Sequence, residues 1–154
     1  MDELPTKGSS ADVAQAVDRL VDWFETLSPS TVDGVASIYA AGARFKDPFN
    51  DVFGVAAILA IFSHMFESLR EPRFKVTGRV LQGEQCFLTW EFRFYFRNFR
   101  QHQEQLIVGA SHLIFDTQGN VCVHRDYWDA AEELYEKLPL VGGLIRWLKR
   151  RANS

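Results

Sequence analysis

Sulfur and histidine chemistry have little to work with in this chain. Two cysteines, Cys86 and Cys122, fall in strand-like runs and form neither a disulfide framework nor a metal-ligand spacing. The histidines show no HxH or HExxH pattern, so no metal site is expected. No apolar run approaches the roughly 18 residues that a membrane-spanning helix needs. The first ten residues, MDELPTKGSS, are polar and carry acids, unlike a secretory or transit peptide, and the expected compartment is the cytoplasm. A formal net charge of −3 gives no global attraction to nucleic acid. There is no glycine loop suited to a phosphate, no nucleophile elbow, no internal repeat and no low-complexity segment. Metal, phosphate-transfer and Ser/Cys-nucleophile chemistry thus find no motif.

What the chain does have is aromatic bulk. Aromatics make up 14% of 154 residues, with 13 Phe and 4 Trp, which implies either a bulky core or a cavity with aromatic walls. The length suits one domain with a real core. We divide it into a loose tail over 1–10, a single domain over 11–138 and a basic amphipathic segment over 139–154.

The apolar period is helical first. Val13, Val17, Leu20, Val21, Phe24 and Leu27 recur at helix spacing, and Ser28-Pro29 ends that helix. Ser30 with Asp33 predicts the N-cap of a short second helix, stopped by Gly42. A short strand over 43–47 follows, with Pro48 holding Asp47 extended and Asn50-Asp51 turning the chain. Gly54 to Leu69 predicts a third helix. After Pro72 the period becomes two, and strands are expected over 73–80, 86–96, 106–115 and 121–128. Residues 129–138 read as helix, broken by Pro139, with Gly142-Gly143 as a second break before LIRWLKRR. Helices followed by long antiparallel strands predict an α+β fold with the helices on one face of a curved sheet.

Two stretches carry a family likeness. YAAGARFKDPF, 39–49, is similar to a stretch of ketosteroid isomerase in which an alanine-rich run ends in Asp-Pro. LIFDTQGNVCVHRDYWD, 113–129, resembles a terminal hairpin ending in an aromatic-rich strand. With their separation, they make the chain resemble the nuclear transport factor 2-like superfamily from about Ala11 to about Leu138. That group holds ketosteroid isomerase, limonene epoxide hydrolase and the SnoaL-like cyclases. The resemblance implies a cone-shaped α+β roll, closed by a bent sheet around a pocket. Function does not follow from the fold.

Residue by residue, the resemblance puts Asp47 on the isomerase's general base, Trp23 on its oxyanion tyrosine and Ser111 on its oxyanion aspartic acid. Asp126 resembles the terminal-strand aspartate of the epoxide hydrolase. That enzyme's Arg-x-Asp positions fall on Trp90 and Phe92, while Glu91 and Arg93 stand on the opposite strand phase unless a bulge turns them inward. Asp47 has a second reading as a turn residue capping local N–H groups. Asp126 shares a phase with Cys122, His124 and Trp128, and has a second reading as a structural carboxylate. Should both aspartates enter one cavity, they would titrate as a pair.

The leading expectation is a SnoaL-like enzyme performing cofactor-free proton transfer on a small apolar molecule, as isomerase, dehydratase or hydrolase. Asp47 or Asp126 is the base. Trp23, Tyr39, Phe49, Trp90, Phe92, Ser111, His124 and Trp128 are the expected substrate contacts. The alternative is a binding module of the same fold that carries a ligand or a protein partner without turnover. Strands apolar on both phases imply a homodimer through the sheet, with His112 facing away from the pocket. His64 reads as a packing or surface residue. Membrane-surface contact by LIRWLKRR ranks below a simpler reading, in which its apolar side packs over the cone's mouth.

Overall fold

The computed structural model describes residues 10–135 and 139–152; residues 1–9 of the tail expected over 1–10, the junction at 136–138 and residues 153–154 lie outside the described residues, and Ser10 opens the first helix. Helix α1, Ser10–Glu25, buries the stripe Val13, Val17, Leu20, Val21 and Phe24. A 3₁₀ turn, Val32–Gly34, runs into one turn of helix, α2, Val35–Ile38. Ser30 is not its cap. The Ser28 and Ser30 hydroxyls bond to each other, while Thr31 Oγ1 accepts from Ser28 N and donates to Thr26 O.

The second helix ends earlier than its composition suggests. Strand β1 spans Tyr39–Lys46, so Gly42 lies inside a strand and does not stop a helix. The β1–β6 register jumps between Tyr39 and Arg44, and Gly42 sits in that irregularity. Asp51 likewise leaves its expected turn and opens strand β2, Asp51–Phe53. Helix α3, Val55–Ser68, starts after Gly54, whose φ of 91° only glycine adopts readily, and buries Ile58 and Phe62.

Strand β3, Leu69–Gln82, begins before Pro72. Pro72 is tolerated because β3 is an edge strand and its pairing skips between Arg70 and Arg73. Strands β4 (Gln85–Phe96), β5 (Gln105–Phe115) and β6 (Val121–Tyr127) complete a six-stranded sheet in the order β2-β1-β6-β5-β4-β3. Only β1 and β6 pair in parallel. The β4–β5 register is unbroken, so Glu91 and Arg93 stay on the outer face, where Arg93 bonds Glu91 and Glu104. A skip beside Phe115 puts Val121, rather than Cys122, on the inner phase with His124 and Asp126.

The helices cover the inner face, and the core lies between α1, α3 and the sheet. The result is the expected α+β cone. The outer face carries exposed Phe87, Val108 and Tyr127, with His112 stacked flat on Phe87 at 4.4 Å.

After β6, helix α4 covers only Ala130–Glu133, capped by the Asp129 carboxylate. Helix α5, Pro139–Ala152, runs through Gly142-Gly143 without a break, and Pro139 opens it, a position where its missing N–H costs nothing. Leu144, Trp147 and Leu148, expected to pack over the cone, are 56%, 46% and 47% exposed. Among the described residues, no helix is long and apolar enough to cross a membrane.

Candidate functional site

The sheet's inner phase and α3 enclose a cavity of about 460 Å³. Phe62 and Met65 of α3 face Phe74, Trp90, Phe92 and Ile107 of the sheet. Phe92 stacks on Phe74 at 4.4 Å, and Phe74 meets Trp90 edge-on at 6.0 Å. Phe49 and Trp128 form one side of the mouth, 5.5 Å apart. His64 and Ser68 stand at the lining too, bonded to each other at 3.1 Å. No lysine or arginine is among the lining residues. At the inner end, a second hollow of about 20 Å³ touches Ser111, His124 and Asp126, room for about one water.

Asp126 lines both spaces and also an outer cleft of about 740 Å³, which shares Asp47, Phe49 and Trp128 with the cavity and carries Lys46 and Arg125. Its Oδ1 accepts from Ser111 Oγ at 2.5 Å and from His124 Nε2 at 2.7 Å. Behind these stand two further donors. Trp90 Nε1 lies 2.9 Å from Ser111 Oγ, and Tyr39 Oη lies 2.7 Å from His124 Nδ1. An indole N–H can only donate, so Ser111 accepts from Trp90 and gives its own proton to Asp126. Tyr39 is fully buried and offers its one proton to Nδ1, which assigns His124 to the neutral tautomer protonated at Nε2. Both arms therefore donate inwards, towards a single carboxylate oxygen.

The other oxygen, Oδ2, accepts no hydrogen bond from a described residue. Since no buried side-chain N or O among the described residues lacks a partner, Oδ2 is not a sealed atom.

Tyr39 gives a measurable consequence. Burial, and secondarily the charge of Asp126, hold its hydroxyl well above the ordinary tyrosine pKa. The folded pKa exceeds the unfolded one, so this part of the stability is complete below about pH 10. It is lost as pH rises through the folded value. Melting temperature is expected to fall above about pH 10, and to fall less steeply in Tyr39→Phe. Equal alkaline slopes in the two proteins would remove Tyr39 from this linkage.

Asp47 sits at the rim, between β1 and β2, and closes the loop that joins them. Its Oδ1 accepts from Phe49 N and Asn50 N, both at 2.7 Å, and Asn50 Nδ2 reaches both oxygens at 3.0 Å. This is the turn-capping arrangement, and it occupies both carboxylate oxygens.

Trp23 and Tyr39 do not line the cavity. The Trp23 indole donates to Thr31 O at 3.1 Å, and its ring packs on Phe24, Tyr39 and Phe62. Tyr39 lies behind His124, stacked on it. The other eight residues singled out in the sequence border the cavity or its inner hollow. Sequence reasoning counted Phe62 among aromatics that could wall a pocket, and missed Phe74, Met65 and Gly109. Gly109 is paired with Trp90 across the strands, and a Cβ there would stand under 3.0 Å from three atoms of the indole. The signal was available: a lone glycine inside a strand marks a close approach.

Thiol chemistry is absent from the site. Cys86 is buried, with its thiol pushed up to about 11 by that burial. Among the described residues, no cluster of His, Cys, Asp or Glu is placed to hold a metal.

Solved structures share this architecture. An NTF2-like protein of unknown function from Burkholderia pseudomallei superposes with a TM-score of 0.67 at 18% identity, covering 79% of this chain and 93% of its own. A candidate SnoaL-like polyketide cyclase from Jannaschia sp. CCS1 gives 0.66 at 16%, covering 86% and 93%. An epoxide hydrolase of the LEH-like type from M. tuberculosis gives 0.62 at 13%, covering 80% and 86%. At these identities the likeness shows the fold alone. No curated protein matches the chain in sequence. The family of the SnoaL-like domain matches residues 20–124, from the middle of α1 to His124 on β6. With more than half its length so matched, around a pocket that ends on a strand-borne aspartate, the chain belongs to the SnoaL-like domain family.

Proposed function

We propose that this SnoaL-like chain is a cofactor-free enzyme that moves a proton on a small, uncharged, largely apolar molecule, with Asp126 as the base. One observation carries the reading. Oδ1 of Asp126 is fixed by two donors while Oδ2 is not sealed, on a residue that lines the aromatic cavity. A base needs a fixed direction and one unoccupied lone pair, and this carboxylate has both. Ser111 and His124 then hold the base rather than touch the reacting atoms, with Trp90 and Tyr39 behind them. The aromatic cavity itself, without lysine or arginine, favours a neutral group there, while Lys46 and Arg125 stand in the adjoining outer cleft. Of the two candidate aspartates, Asp47 is the poorer base, because its oxygens are already taken by the loop.

The chemistry proposed is removal of a proton beside a carbonyl by Oδ2, followed by its return at another carbon or to a departing hydroxyl. The water-sized hollow beside Asp126 also suits addition of water, the class to which the epoxide hydrolase neighbour belongs. The test is solvent exchange. A panel of neutral cyclic ketones and lactones is incubated in heavy water, and deuterium beside the carbonyl is read by mass spectrometry. Incorporation by the wild type, lost in Asp126→Asn, supports the base. Binding of panel members with no exchange sinks it and favours the carrier. Of the two indoles that line the cavity, Trp90 gives its N–H to Ser111, which leaves Trp128 at the mouth as the indole donor for an oxyanion.

The exposed Phe87, Val108 and Tyr127 further support a homodimer through the outer face of the sheet. Sedimentation equilibrium should show a dimer that Val108→Glu converts to monomer. A wild type that stays monomeric would remove the proposal.

A further inference from the structure

Helix α5 has no role in the reading above. Its sequence, PLVGGLIRWLKRRA, holds four of the chain's 17 Lys and Arg residues and none of its 20 acids. Leu144, Trp147 and Leu148 fall at i, i+3 and i+4, and so share one stripe. By helical angle, Arg146 and Arg150 lie on the opposite side. The stripe is about half exposed, although no other group of large apolar side chains in α1 or α3 is left so open. Arg151, at i+4 from Trp147 and i+7 from Leu144, shares the face of the stripe and lies over the Trp147 ring, 5.4 Å from its centroid, which puts a cation among the apolar side chains at the C-terminal end of the helix.

We propose that α5 is a peripheral anchor that lies on an anionic lipid surface. The helix is about 21 Å long, short of a span but long enough to lie in an interface. Its leucines and tryptophan enter the boundary between headgroups and acyl chains. Arg151, on the same face, meets the negative headgroups. Charge decides the occupant. A second copy of α5 would bring an all-cationic segment against another, which is repulsive, whereas an anionic bilayer complements the apolar stripe and its cation at once.

The anchor also has a position. Tyr135 packs on Phe49, at the cavity mouth, 6.1 Å between rings. Pro139 follows four residues later, a reach of at most about 14 Å. An α5 lying on a bilayer therefore keeps the mouth of an apolar cavity close to that bilayer. The anchoring stands whether the cavity turns its ligand over or only holds it.

The test is co-sedimentation of the full chain with vesicles, either zwitterionic alone or with about three parts in ten of an anionic phospholipid. Wild type is expected to pellet with anionic vesicles at least tenfold more than with neutral ones, and to be released by about 0.5 M salt. Leu144→Glu/Leu148→Glu should abolish pelleting without changing the thermal transition. Arg150→Glu/Arg151→Glu should cut it about tenfold or more. Equal pelleting with neutral and anionic vesicles overturns the proposal, as does wild type that stays in the supernatant. So does a wild-type dimer that the leucine variant splits in the absence of lipid, since the stripe would then be a contact between copies.

Discussion

Asp126→Asn is expected to lower turnover by about 10²–10⁴-fold, the usual contribution of a positioned acid–base group. Ligand affinity and melting temperature should hardly move. The reason is local. Asparagine keeps an oxygen at the Oδ1 position, so the Ser111 hydroxyl and the His124 N–H retain their acceptor. Only the accessible atom changes, from a carboxylate oxygen to an amide NH₂ with no lone pair to take a proton. Asp126→Leu is the contrasting variant. It strands two inward donors in a buried place, at about 1–3 kcal/mol each, and should destabilise the fold as well. Asp47→Ala separates the two aspartates further. Its carboxylate holds Phe49 N, Asn50 N and the Asn50 amide, so its loss should appear as lower stability and a looser rim rather than as a lost chemical step. Turnover that survives Asp126→Asn but vanishes in a folded Asp47→Ala would reverse the assignment.

The second large effect is expected at a residue with no side chain. Gly109→Ala should destabilise the protein by about 1–3 kcal/mol, through overpacking against the Trp90 indole. For a chain of this length that is roughly a 3–10 °C fall in melting temperature. The indole lies across Gly109 on one side, and its N–H is committed to Ser111 on the other. It cannot retreat without leaving Ser111, so a methyl group at 109 disturbs the aspartate's support too. A double-mutant cycle isolates the clash. In a Trp90→Leu background the alanine should cost much less, because the ring that it meets is gone. The same cost in both backgrounds would mean that Gly109 matters for backbone reasons alone.

Wherever burial follows strand or helix phase, local pattern was enough to place a residue. The α+β order, the inward run Leu88, Trp90, Phe92, Phe94 on β4, and the shared phase of His124 and Asp126 all follow from alternation, because each strand has one face to bury. Where the chain departed from local pattern, neighbours decided. Gly42 looks like a helix stop, yet it lies in an irregular pairing of β1 with β6, a strand about 80 residues away in sequence. Such pairing leaves no mark in a window of ten residues. Gly142-Gly143 fails as a break for a different reason: glycine weakens a helix by only about 1 kcal/mol and does not forbid one.

The sequence by itself therefore determined that this protein folds as helices followed by long antiparallel strands, rich in aromatic side chains; the pocket, and the place of two aspartates near it, came from the family resemblance. Periodicity and turn residues are local quantities, and they suffice for the order of elements. Only the tertiary structure decided how the two carboxylates are bonded. Asp47 turns both oxygens back on its own loop, and Asp126 accepts from Ser111 and His124 on one oxygen alone. It also decided that Trp23 gives its N–H to Thr31, and that Tyr39 stands behind His124 rather than before it. Hydrogen-bond donors and acceptors are finite in number. Which of them remain for a ligand depends on what residues up to 85 positions apart have already taken.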